Sequence, residues 1–184
     1  SPSYLILQSL DLCNNYLSSD YRERLLKAIS KTDELKGFLT EKGFTLEGNE
    51  KLKITLSPLS YGYTGYELSD LLKKHNIYCE FYDRDYLVMM FSAETEDSDF
   101  DKIKKAFPFV ERRKAIEENP VQIEKAPTQA VSIRKAVFSP TEEVAVSEAI
   151  GRICASPAVS CPPAVPVAVS GELITEEVAE VMKY

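Results

Sequence analysis

The chain has 184 residues, 44% of them hydrophobic and 28% charged, with 22 Lys and Arg against 29 Asp and Glu for a net charge of −7. That is enough for one domain, or two small ones sharing an interface, with a core that needs no disulfide or metal. No apolar run approaches the ~18 residues of a membrane helix, and an acidic balance disfavours nucleic acid, which needs a clustered basic surface.

Residues 4–36 carry leucines and isoleucines at helical spacing, among them Leu5, Leu7, Leu10, Leu12, Leu17, Leu25, Leu26 and Ile29. Ser18-Ser19-Asp20 interrupts them and predicts a second helix starting near Tyr21. Gly37 and Gly43 punctuate the next stretch of chain. Lys51 to Leu56 alternates apolar and polar residues, the pattern of a half-buried strand. A turn-rich, tyrosine-rich loop over 57–65 ends at Thr64, which with Glu67 forms a capping box for a helix over 66–74. Strands are expected over 77–83 and 86–92, joined by Asp83-Arg84-Asp85. The unbroken apolar run Leu87–Phe91 predicts burial on both faces. A helix over 98–106 places Phe100, Ile103 and Phe107 on one side. Residues 110–128 are charged, hold Pro120 and Pro127, and read as a connector, partly helical over 111–118. Ile133–Phe138 is an extended edge or a short helix, and Ser147 caps a short helix through Ile153. The proline-studded run 160–169 is an edge strand or a cavity wall. Ser170-Gly171-Glu172 turns, and Thr175-Glu176-Glu177 opens a last helix. The order is that of an α+β layer, helices packed on a small, mostly antiparallel or mixed sheet.

Self-sufficient catalysis finds little support in these residues. The one histidine, His75, ends a predicted helix, where the helix dipole favours a cationic side chain. Phosphate-binding glycine motifs are missing; Gly62-Tyr63-Thr64-Gly65 is too short and aromatic. The four cysteines are far apart and, with a single histidine, make no zinc set. Unpaired cysteines suit a reducing cytoplasm. Cys13, Cys79 and Cys154 fall in apolar patterns and are expected as buried spacers, whereas Cys161 precedes Pro162-Pro163 in a rigid loop. Tyr61, Tyr63 and Tyr66 crowd one loop, as a cover for the sheet edge with hydroxyls in water or as a binding wall.

Four segments, in order and at suitable spacing, resemble the Orn/Lys/Arg decarboxylase family, whose members are fold-type I pyridoxal-phosphate enzymes. They are Ser1-Pro2-Ser3-Tyr4-Leu5 with Ser9-Leu10-Asp11; Tyr61-Gly62-Tyr63-Thr64-Gly65-Tyr66-Glu67-Leu68; Gly151-Arg152-Ile153 with Ala155; and Pro162-Pro163, Pro166, Gly171-Glu172 and Ile174-Thr175. The chain departs from the family at Cys161, where a tyrosine is usual, at Ala164 for glycine and at Ser170 for proline.

The resemblance implies a chain cut within a longer enzyme. Residues 1–36 would continue from a missing large domain, 37–110 form a small α/β domain, 111–128 the connector and 129–184 the family's C-terminal domain. The fold class implied is α+β, a helix-on-sheet domain followed by a small C-terminal α+β domain. The full-length protein would use pyridoxal 5'-phosphate to decarboxylate a basic amino acid, arginine favoured over lysine or ornithine, to a polyamine-pathway amine. The large domain would hold the Schiff-base lysine, so this chain alone is expected to be inactive and to bind no cofactor tightly. Ser1 and Ser3 become candidates for a phosphate contact, against a helix-cap role. Tyr63, Cys161, Pro162 and Glu172 become candidates for the substrate channel, with Glu172 equally suited to closing a turn. The expected partners are the missing large domain and further copies of the chain in the cytoplasm. The competing reading is a stand-alone binding or assembly module built from the same small domain.

Overall fold

The computed structural model describes residues 3–117, 125–157 and 166–183. The chain divides into two compact units, Ser1–Glu118 and Asn119–Tyr184.

In the first unit the interruption at 18–20 separates α1 (Tyr4–Ser18) from α2 (Tyr21–Glu41). Asp20 stands at the α2 N-cap without a side-chain cap bond and pairs instead with Arg24 at 3.2 Å. Helix α2 runs through Gly37 and closes at Gly43, whose φ of 96° gives the left-handed turn that glycine tolerates. Its buried residues Ala28, Thr32, Leu35 and Leu39 fall three or four apart on one face. Thr32 is fully buried, and its hydroxyl is satisfied by the Ala28 carbonyl at 2.8 Å.

The sheet is antiparallel throughout, in the order β1 (Thr45–Glu47), β2 (Lys53–Ser57), β4 (Leu87–Met90), β3 (Phe81–Tyr82). The register sets Ile54 opposite Met89 and Leu56 opposite Leu87. Those four are buried and form the covered face. Helix α3 (Gly65–Lys73) adds Leu68 and Leu72, and α4 (Asp97–Ala106) adds Phe100 and Ile103 to the same core. Each such side chain contributes on the order of 1.5–3 kcal/mol of transfer free energy.

Four expectations change here. The run 87–90 buries only alternate residues: Val88 is half-buried and Met90 exposed, because an antiparallel sheet with helices on one side covers one face. The strand expected from Ile77 shrinks to Phe81–Tyr82. Asn76 takes a φ of 57°, and the Ile77 N–H reaches back to the Leu72 carbonyl, so Ile77 closes helix α3. Residues 111–117 form no helix. They are held extended by bonds from Arg113 N–H to Tyr61 O (3.0 Å) and Ile116 N–H to Leu59 O (2.9 Å). Cys13, expected as a buried spacer, is exposed, because α1 contains no buried residue.

In the second unit, Ser132 caps α5 (Ile133–Phe138), so this segment is helix and not an extended edge. In place of the short helix expected from Ser147 there is a single 3₁₀ turn, Val146–Glu148. Ile153 instead bridges Leu173, and Gln129 bridges Glu172. Thr175 accepts from the Val178 N–H at 3.3 Å and opens α6 (Glu176–Lys183). Ala149, Cys154, Ala168, Ile174, Val178 and Ala179 make a small separate core. Both units are mixed helix and extended chain, the α+β class expected. Most of the proline-rich run at 160–169 and part of the connector lie outside the described residues.

Candidate functional site

The tyrosine-rich loop is built by backbone before side chains. The Pro58 carbonyl accepts from the N–H groups of Tyr61 and Tyr63. Gly62 follows with a φ of 93°, and a Cβ there would sit 2.5 Å from the Arg113 Cβ. A Cβ on Gly65 would collide with the carbonyls of Asp83 and Tyr86. Both glycines of Gly-Tyr-Thr-Gly therefore serve close backbone approach. Thr64 and Glu67 complete the capping box, with Glu67 N–H to Thr64 Oγ1 at 3.2 Å and Thr64 N–H to Glu67 Oε2 at 2.9 Å.

The extended segment 111–117 crosses this loop as a strap. Tyr63 is 2% exposed, and its hydroxyl donates to the Glu111 carbonyl at 2.7 Å. The Arg113 guanidinium lies 4.2 Å from the Tyr63 ring centroid, and Arg112 5.6 Å from that of Tyr61. Tyr61 stacks on Phe44. Tyr61 and Tyr63 are thus interior, and only Tyr66 keeps a largely exposed ring. The hydroxyl expected in water, or at an open wall, is committed to the strap.

Ser3 is exposed at the start of α1. Its carbonyl accepts from the Leu7 N–H at 3.0 Å, while its side chain makes no cap bond. Ser1, Cys161 and Pro162 lie outside the described residues. Glu172 is half-buried in the turn after Val169. Its carboxylate accepts from the Val169 N–H at 2.8 Å, and its carbonyl accepts from Cys154 N–H at 2.8 Å. Gly171 beside it needs a φ of 95° and passes close to the Val131 carbonyl. Ser3 and Tyr63, both in the first unit, share no hydrogen bond, and Glu172 belongs to the second unit.

Titration follows from these surroundings. Burial pushes the Cys79 thiol up to about 11 and raises that of Cys154, so both are poor nucleophiles. Lys73 donates to the Tyr82 hydroxyl and the Asp70 carboxylate, each at 3.0 Å, and these bonds raise its pKa. A Schiff-base lysine needs the opposite, an amine readily deprotonated by desolvation or neighbouring positive charge. His75 is followed by Asn76, not lysine, and stacks on Phe109 at 5.2 Å. Neither Lys73 nor the His75-Asn76 segment therefore fits a Schiff base with pyridoxal phosphate, and among the described residues no His, Cys, Asp and Glu cluster suits a metal. Two hollows of the first unit, about 350 Å³ beside His75, Lys102 and Lys105 and about 260 Å³ beside Arg24, Lys27 and Glu94, include none of the expected site residues.

Sequence reasoning missed the strap residues Arg112 and Arg113, and the cluster in which Glu94 accepts from Tyr16 Oη and from Arg24 at 2.8 Å. Local periodicity gives no signal for partners some 70 residues away in the chain.

Comparison with known proteins matches residues 111–184 to the family described as Orn/Lys/Arg decarboxylase, C-terminal domain. Across 96% of the chain it is 27% identical to an arginine decarboxylase of Bacillus subtilis and 28% identical to one of Halalkalibacterium halodurans, covering 40% of each relative. The chain thus spans about two fifths of the length of these curated relatives. Among solved structures, the constitutive lysine decarboxylase of E. coli matches 99% of the chain with a TM-score of 0.70 at 13% identity, over 39% of its own chain. A Francisella novicida lysine decarboxylase matches 88% with a TM-score of 0.60 at 16% identity, over 35% of its own. At such identities the structural likeness shows the fold. With residues 111–184 matched by the family's own domain and relatives aligned along nearly all of its length, the chain is similar to the C-terminal part of the Orn/Lys/Arg decarboxylase family.

Proposed function

We propose that this chain serves, within a longer cytoplasmic enzyme, the pyridoxal-phosphate-dependent decarboxylation of a basic amino acid, with arginine as the substrate. The observation that carries the reading is the alignment with arginine decarboxylases over 96% of the chain. The cofactor would supply the electron sink for the carbanion left by CO₂. The lysine that holds it belongs to the polypeptide ahead of this chain, in keeping with the raised pKa of Lys73 and the lack of a His-Lys pair here.

The chain's own part is positioning. The strap and the Gly-Tyr-Thr-Gly loop make a rigid block from buried aromatic rings and backbone bonds. Ser3 keeps a hydroxyl free of any cap bond, which supports a phosphate contact. For Glu172 the bond to Val169 favours the turn-closing role over a contact with the substrate's cation.

The test is turnover. The purified chain, given pyridoxal phosphate with arginine, lysine or ornithine, is expected to release CO₂ no faster than the free cofactor. The longer polypeptide is expected to turn over and to prefer arginine. Turnover by the chain alone would overturn the assignment of the lysine, and an inactive longer protein would leave the stand-alone module as the better reading.

A further inference from the structure

The hold of α1 on its unit gathers at one side chain. Of the fifteen residues of the helix, Tyr16 alone is half-buried and the rest are exposed. Its hydroxyl donates to the Glu94 carboxylate. Both oxygens of that carboxylate also accept from Arg24 Nη1, at 2.8 and 3.1 Å, and Arg24 pairs with Asp20 at 3.2 Å. The guanidinium lies 4.7 Å from the Tyr16 ring centroid, and the Tyr21 ring packs 5.2 Å from it on another side. Glu94 is itself presented by a closed turn between β4 and α4. There the Thr95 N–H donates to the Ser92 carbonyl at 3.1 Å, the Ser92 N–H to Thr95 Oγ1 at 3.0 Å, and the Glu94 N–H to Ser92 Oγ at 3.2 Å. A lone exposed ion pair contributes little, but a carboxylate shared among several fixed donors holds a geometry.

We infer that Glu94 is a positioning residue: its carboxylate, shared by Tyr16 and Arg24, sets the angle at which α1 leaves the unit, and with it the place of Ser3. This deepens, and rests on, the positioning role proposed for the chain in the longer enzyme. The junction of α1 with α2 adds little stiffness of its own, since Ser19 leaves the helical conformation with a ψ of −127° and Asp20 makes no side-chain cap bond. Ser3 precedes Tyr16 by thirteen positions, which is about 20 Å of helix. A tilt of about 10° at Tyr16 would carry Ser3 by about 3 Å, the full length of a hydrogen bond. A contact made at the Ser3 end of α1 therefore depends on a carboxylate at its other end.

The test measures the direction of α1 in the longer protein. Spin labels are carried by noncanonical amino acids at Gln8 on α1 and Glu41 at the end of α2, so that the cysteines stay as they are. Tyr16→Phe removes the hydroxyl and keeps the ring beside Arg24, and Glu94→Ala removes the shared acceptor. In both, the Gln8–Glu41 distance distribution from double electron–electron resonance is expected to be roughly twice as broad as in the parent, because the helix swings as a rigid lever. Glu94→Gln, which keeps the shape and an acceptor, should return the narrow distribution. A lower melting temperature with the distances unchanged in Tyr16→Phe and Glu94→Ala overturns the inference, since Glu94 then contributes stability alone. The readout is independent of turnover: a longer protein that does not decarboxylate but shows the broadening refutes the proposed reaction and keeps the positioning role of Glu94. One that turns over with unchanged distances keeps the reaction and loses that role.

Discussion

At the scale of single residues, hydrogen bonds separate support from chemistry. Glu172 carries the anionic charge expected to favour a cationic substrate, but its carboxylate accepts from the Val169 N–H within its own turn. A charge-assisted bond contributes about 1.5–3 kcal/mol and a neutral one about half as much. Glu172→Gln keeps an acceptor at nearly constant shape, so it is expected to cost about 1 kcal/mol. That corresponds to a melting temperature lower by about 4–8 °C for a unit of this size. In the longer enzyme the KM for arginine should stay where it was. A tenfold rise in KM without loss of stability would place the carboxylate at the substrate instead.

Among the elements, α3 has the most complete set of local instructions. Thr64 and Glu67 satisfy each other's N–H groups at its start, and Asn76 and Ile77 close its end. Leu68 and Leu72, fully buried, fix its face. Thr64→Ala removes one acceptor and one half of the box, and is expected to cost about 1 kcal/mol. Thr64→Ser, which retains the hydroxyl, should recover most of it. Urea midpoints of the two variants measure the difference. A Thr64→Ala midpoint equal to that of the parent would mean that packing of Leu68 and Leu72 alone holds the helix.

For the whole molecule the decisive feature is apolar surface left outside any core. Exposed apolar area of the kind found on α1 drives association. The net charge of −7 opposes it by mutual repulsion, which salt screens. The isolated chain is therefore expected to form dimers or larger species in sedimentation experiments, more so at high concentration and at high salt. Leu5→Asp with Leu12→Asp should shift it towards monomer. A parent chain that stays monomeric at high concentration and high salt would contradict association through the exposed apolar face of α1.

The sequence alone determined what acts over four or five residues. The break at Ser18–Asp20, the Thr64 capping box, the face of α4 and the Thr175 start of α6 are all set by caps, turns and helical spacing, and they stand where the residues put them. The four motif segments, read together, pointed to the family that the comparisons bear out. Tertiary structure decided the rest. Tyr63 meets Glu111 across 48 residues, so its burial depends on the return of a strap that no local pattern announces. Met90 is exposed because the helices cover one face of the sheet, a fact about neighbours and not about the apolar run that contains it. Ser170-Gly171-Glu172 was legible as a turn, and only its pairing with Cys154 came from the fold. Short-range signals are written in backbone preferences and side-chain spacing. Which side chain is enclosed depends on distant segments brought together by the fold.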